Sequence, residues 1–129
     1  MLIDTSALIF YALSPKKMTK RAVGVIQEVG NYYSHVSVWE LAIKSGLGKI
    51  RLSAAGKQVS GKQFILTMVH SLNLRALPVE FDDLADVEAL PQHHGDPFDR
   101  LLVVQAQRAG LPIVSPDKQF DAYDIKRVW

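Results

Sequence analysis

The chain has no cysteine. That excludes disulfides and thiolate metal sites, and it fits a reducing compartment, so a cytoplasmic location is expected. No apolar run approaches the roughly 20 residues that a bilayer span requires, so no membrane association is expected. The opening residues MLIDTSALIFYAL are apolar, but no basic region precedes them and Asp4 interrupts them, which argues against a secretory signal. There is no glycine-rich phosphate loop of the Walker or dinucleotide type, and Ser6 lacks the context of a nucleophile elbow. His93 and His94 are adjacent, so their side chains diverge, and both read as exposed loop residues. His35 and His70 have no partner at metal-ligand spacing, which disfavours zinc. Internal repeats, low-complexity tracts and linkers are absent too.

What is present fits one globular domain spanning residues 1–129, with an apolar share of 48%. The net charge of +2 hides an asymmetry. Residues 1–75 carry ten Lys/Arg against three Asp/Glu, a net +7, whereas residues 76–129 carry five against ten, a net −5. The basic half can meet an anionic polymer, or it can be a set of solvated lysines that folding disperses.

Short apolar runs alternate with helical patterns. Met1–Ile3 reads as a strand ending in Asp4, and Thr5–Leu13 as a helix that Ser14-Pro15 breaks. A helix is expected over Lys16–Gly30, a strand over Tyr32–Val36 and a helix from Ser37 to about Ser45, closed by Gly46-Leu47-Gly48. Lys49–Leu52 reads as irregular, and Ser53–Gly61 as a mobile exposed segment. Helices at Gln63–Leu72 and Asp82–Leu90 flank a weak strand at Leu74–Val79. Asp96-Pro97-Phe98-Asp99 then opens a helix with Pro97 at its first position, and Gly110 ends it. Leu111–Val114 is a strand, Asp117–Tyr123 a further helical segment and Ile125–Val128 a last strand. The alternation predicts an α/β fold whose central, mostly parallel β-sheet is flanked by helices on both faces.

In such sheets ligands bind beyond the C-terminal strand ends, and Asp4 and Asp117 each follow a strand. Glu40 and Asp99 lie near helix starts and can face the same edge if those helices begin there. Singly, each acid has an ordinary explanation. Asp4 and Asp117 can cap helices, Ser37 and Glu40 have capping-box spacing, and Asp96 suits the N-cap before Pro97, leaving Asp99 as a first-turn charge. Jointly, carboxylates gathered at one edge repel unless a cation binds them. Mg²⁺ or Mn²⁺ prefers such oxygen ligands, and can activate water and orient a phosphodiester. Lys44, Lys49, Arg51 and Arg100 flank these acids in sequence and are candidate phosphate contacts. Trp39 precedes Glu40 and suits core or interface better than base stacking. Trp129 is expected against the sheet edge.

Asp4-Thr5-Ser6, the run Ser37 to Lys44 with Leu47-Gly48-Lys49-Ile50, His94 to Leu102, and Ile113-Val114-Ser115-Pro116-Asp117 together resemble the PIN-domain family, and more closely its VapC-type toxins of type II toxin–antitoxin systems. The resemblance covers essentially the whole chain, and its DPFDRLL and WE-IK-LGKI stretches are the specific part. It implies an α/β/α sandwich, Mg²⁺- or Mn²⁺-dependent endoribonuclease activity, a homodimer, and a cognate antitoxin that blocks the active-site groove. By position, Asp4, Glu40 and Asp99 match the family's three core acids and Asp117 its more variable fourth. Ser115 matches a hydroxyl that supports the first acid, and Asp96 is assigned to capping in preference to metal contact. Ser6 departs from the histidine often found there. The competing readings are a catalytically inactive module that binds RNA or protein and, more distantly, a phosphotransfer domain, which position 6 and the missing acidic pair argue against.

Overall fold

The computed structural model describes residues 1–54 and 56–129. It is built outward from a strand of two residues, β1 (Leu2–Ile3). Both side chains are fully buried, and because successive side chains point to opposite faces of a sheet they enter different cores. Ile3 packs with Ala7, Leu8, Leu41 and Phe64, whereas Leu2 packs with Val36, Leu102, Val104 and Phe120. Burying each of these large side chains contributes about 1.5–3 kcal/mol, so even very short strands are held firmly from both sides.

The helices and remaining strands follow in order: α1 (Thr5–Leu13), α2 (Lys20–Ile26), β2 (Tyr32–Ser34), α3 (His35–Gly46), β3 (Leu52–Ala54), β4 (Lys57–Val59), α4 (Gly61–Leu72), β5 (Arg75–Leu77), α5 (Phe81–Asp86), α6 (Pro97–Ala109), β6 (Ile113–Val114) and β7 (Arg127–Val128). Single 3-10 turns cover Pro15–Lys17 and Lys118–Ala122. The main sheet has the order β5-β2-β1-β6-β7, and all its strands are parallel. Helices α1, α2 and α4 pack on the Ile3 face and α6 on the Leu2 face, giving an α/β/α sandwich. No helix among the described residues is long and apolar enough to cross a membrane.

Several expectations shift. The helix expected over Lys16–Gly30 shrinks to α2, because Met18 is extended and Thr19 caps a new start through the Ala22 N–H. The expected strand to Val36 stops at Ser34, whose hydroxyl accepts the Val36 N–H and starts α3 at His35. Ser37 and Glu40 therefore lie inside the helix, not in a capping box. The helix expected to reach Leu90 ends at Asp86. Ser53–Gly61 is largely exposed as expected, but it also holds strand structure: Leu52, expected to be irregular, pairs with Val59 and Ala54 with Lys57 in antiparallel register, while Ala55 lies outside the described residues. Leu52 is buried against the α1 and α4 core, which ties the hairpin down.

Helix α4 runs close to α3. A Cβ placed on Gly61 would meet the Leu41 carbonyl carbon and oxygen at 3.0 Å, so glycine is what permits this approach. Ser60 and Gln63 form a reciprocal capping box at its start. At the other end of the chain, Trp129 packs on Phe10, its ring centroid 5.9 Å away.

Candidate active site

The register of the sheet brings the first carboxylate to its supporting hydroxyl. Ile3 pairs with Val114, so the next residues, Asp4 and Ser115, emerge side by side at the C-terminal edge. Ser115 Oγ donates to Asp4 Oδ2 at 2.7 Å, and the Ser6 N–H donates to Oδ1. Asp4 thus caps α1 as well. Burial pushes its carboxyl up to about 6; the Ser115 bond works against that rise and the charge of Glu40 adds to it.

Glu40 arrives from α3, which begins at the same edge because it follows β2 without a linker. It is 4% exposed. Its Oε1 accepts from Lys44 one turn on, while Oε2 is buried without a hydrogen-bond partner. A carboxyl oxygen buried in that state is costly unless something occupies its lone pairs.

Asp99 comes from the first turn of α6. Asp96 caps that helix by accepting the Phe98 N–H at 2.8 Å, with Pro97 at the first position. This matches the capping expectation for Asp96. Burial, followed by the charges of Asp4, Asp96, Glu40 and Asp117, pushes Asp99 up to about 8. Asp117 sits two residues beyond Ser115 and accepts the Gln119 N–H, capping the 3-10 turn. Burial would raise its carboxyl, but the bonds from Gln119 and His94 and the charge of Arg127 outweigh that and lower it. The charges of Asp4, Glu40 and Asp117, each from a different chain segment, act on Asp99 together with that of Asp96 beside it.

Two placements depart from expectation, and a third is narrowed. His94, read as an exposed loop residue, is 7% exposed. Its Nε2 lies 3.0 Å from Asp117 Oδ2 and 3.2 Å from Asp99 Oδ2, and ligand atoms of these three residues all lie within 4.8 Å of one another. The readable signal was the His-x-Asp spacing before Pro97, which lets the ring accept the Asp96 N–H as an Asx turn would. Arg100, expected to contact phosphate, is buried, and its guanidinium donates to the Val87, Leu90 and Pro91 carbonyls. It ties the loop before α6 to the helix and does not face solvent. Trp39, expected in the core or at an interface, is 58% exposed and stands edge-on to Phe98, which excludes the core and leaves the interface alternative standing. Lys49 and Arg51 are exposed, and Lys44 is partly exposed on Glu40.

The donor set fits a hard divalent cation. It is dominated by carboxylate oxygens, one buried oxygen has no partner, and two carboxyls are raised, first by burial and then by the charges of neighbouring acids, a penalty that a bound cation offsets.

A parallel five-stranded sheet with this acidic edge defines a class, and comparison places the chain in it. The PIN domain model matches residues 1–126, and the chain belongs to that family. Among solved structures, it superposes on FitAcB from Neisseria gonorrhoeae with a TM-score of 0.66 and 19% identity, covering 99% of this chain and 96% of that one. DNA-bound VapBC from Salmonella typhimurium gives a TM-score of 0.62 at 14% identity, with 98% and 95% covered. VapBC-5 from Mycobacterium tuberculosis, of the VapBC family of toxin-antitoxin systems, gives 0.60 at 18% identity, with 98% and 97% covered. At these identities the likeness is one of fold. No curated protein sequence matches the chain.

Proposed function

We propose that this chain is a divalent-metal-dependent endoribonuclease of the VapC type, the toxin of a type II toxin–antitoxin pair. The observation that carries the proposal is the meeting of Asp4, Glu40, Asp99 and Asp117, with Glu40 Oε2 buried and unpartnered and Asp99 pushed up to about 8. Membership of the PIN family supports a nuclease, and the superposed toxin–antitoxin structures support the toxin role.

The four acids would hold Mg²⁺, or Mn²⁺ in its place. Such a cation, when bound, polarises a phosphodiester and lowers the pKa of water. The chain's own groups prepare for it. Ser115 and the Ser6 N–H fix both oxygens of Asp4, so that carboxylate loses little freedom on binding. Lys44 pairs with one oxygen of Glu40 and stands among the acids, where it would also meet a phosphate of bound RNA. Lys49 and Arg51, exposed beyond α3, would attract the RNA backbone, and the basic half of the chain offsets the field of the acids. Arg100 is left out of the RNA contacts because its charge is spent on carbonyls. Cleavage leaving 5′-phosphate and 3′-hydroxyl ends, a homodimer, a cognate antitoxin over the acidic edge and action in the cytoplasm belong to the same proposal.

Asp4→Asn tests it. Asparagine caps helices as well as aspartate does, so the fold is expected to persist while RNA cleavage and growth arrest disappear. A folded Asp4→Asn protein that still cleaves RNA refutes the assignment. A native protein that binds RNA and cleaves none with Mg²⁺ or Mn²⁺ favours the inactive binding module.

A further inference from the structure

We propose that His94 is a positioning residue which, as an Nε2–H donor to Asp117 that stands in contact with Asp99, holds both acids in place without itself becoming a metal ligand. The argument starts at the far side of the ring. The Asp96 N–H donates to His94 Nδ1 at 3.0 Å. A nitrogen that accepts a hydrogen bond presents a lone pair, so the ring proton sits on Nε2. That Nε2 lies 3.0 Å from Asp117 Oδ2 and 3.2 Å from Asp99 Oδ2. The Nε2–H is directed at Asp117 Oδ2, and Asp99 Oδ2 stands in contact with the same nitrogen, so one ring edge touches carboxylates from two elements that sequence separates, the start of α6 and the turn after β6.

The ring cannot easily turn to do otherwise. The His94 backbone N–H donates to Tyr123 Oη at 2.7 Å, and Tyr123 Oη in turn donates to the Pro91 carbonyl. The imidazole packs on Phe120, with centroids 5.8 Å apart. Arg100 braces the same loop through Val87, Leu90 and Pro91. Metal ligation by Nε2 would require its lone pair and would move the proton to Nδ1, facing the Asp96 N–H head-on. That conflict costs the hydrogen bond at the cap of α6, the helix that carries Asp99. His94 therefore acts on the cation through the acids it orients, as outer hydrogen-bond partners of metal ligands do. The cation step rests on the nuclease proposal; the tautomer and the clamp do not.

The test uses the full chain with ¹⁵N-labelled histidine. In EDTA, multiple-bond nitrogen–proton spectra are expected to show His94 with a protonated Nε2 and a bare Nδ1, and Mg²⁺ should leave that tautomer in place. Mn²⁺ affinity is then measured by calorimetry on native protein, His94→Gln and His94→Asn, with circular dichroism to establish folding. Glutamine puts an amide N–H₂ at the Nε2 position. Asparagine keeps an acceptor for the Asp96 N–H but is too short to reach the acids. His94→Gln should bind Mn²⁺ within a few-fold of native, and His94→Asn more weakly by on the order of 10- to 100-fold. Loss of the Nε2 proton on adding Mg²⁺, or equal Mn²⁺ affinity for native and His94→Asn, overturns the proposal. So does a His94→Gln protein as weak as His94→Asn. A native protein that takes up Mn²⁺ yet cleaves no RNA removes the nuclease reading and leaves the clamp standing; one that takes up no Mn²⁺ overturns the cation step, and a His94 ring without a protonated Nε2 in EDTA overturns the clamp.

Discussion

Replacing Asp99 with asparagine should make the metal-free protein more stable, although it removes a residue assigned to the cation. In the folded chain the Asp99 carboxyl is pushed from 3.8 to about 8, by burial and then by Asp4, Asp96, Glu40 and Asp117. Between those values the folded state holds a proton that the unfolded chain has released. The unfolding free energy therefore falls as pH rises from about 4 to 8. The full shift, about four units, corresponds to about 6 kcal/mol at 1.36 kcal/mol per unit. That is a ceiling, since Asp4 and Asp99 share their repulsion and the Asp99 side chain keeps 19% of its surface in water. Opposing it, a charge in the first turn of α6 is favoured by about 0.3–1 kcal/mol, which asparagine gives up. The repulsion wins, and a net gain of about 1–3 kcal/mol is expected at pH 8, or roughly 4–12 °C in melting temperature for a chain of this size. At pH 4 the folded carboxyl is neutral in the native protein too, so the gain should vanish. Thermal unfolding of native and Asp99→Asn protein in EDTA at pH 4, 6 and 8 measures this. Adding Mg²⁺ at pH 8 should raise the native melting temperature and leave the variant nearly unmoved. An Asp99→Asn protein no more stable than native at pH 8 in EDTA would refute the view that these carboxylates repel one another in the metal-free fold.

Two further outcomes separate scaffold from site. Arg100→Ala strips the donors from the Val87, Leu90 and Pro91 carbonyls, and a loss of about 2–4 kcal/mol in chemical denaturation is expected, with RNA affinity in the folded fraction unchanged. Gly61→Ala drives a Cβ to 3.0 Å from the Leu41 carbonyl group and should cost about 1–3 kcal/mol by the same measurement, because the neighbouring atoms are backbone and cannot step aside.

The local chemistry of α6 was legible in the chain. Asp96 as cap, Pro97 at the first position and Gly110 at the C-terminal end, with φ of 62°, all act within a few residues, so their effects do not depend on the rest of the fold. The alternation of apolar runs with helical periodicity likewise pointed to a parallel sheet covered on both faces. Errors arose where two local signals competed. Ser34 and Ser37 can each cap a helix. The strand pairing of Ser34 with Leu77 fixes where β2 ends, and Ser34 wins. The hairpin at Leu52–Val59 is not legible in the sequence because its anchor, Leu52, finds its partners on α1 and α4, elements remote in sequence.

The amino-acid order by itself singled out Asp4, Glu40, Asp99 and Asp117 as candidates, because carboxylates next to strand ends and helix starts are visible one segment at a time; Ser115 entered through the family resemblance. Tertiary structure alone decided what those residues face. It gave Asp4 and Asp99 their raised carboxyls, turned Arg100 inward and buried His94 between two acids. Burial and charge repulsion depend on distance in space. The sheet sets those distances by bringing residue 4 beside residue 115, a neighbour that no window along the chain contains.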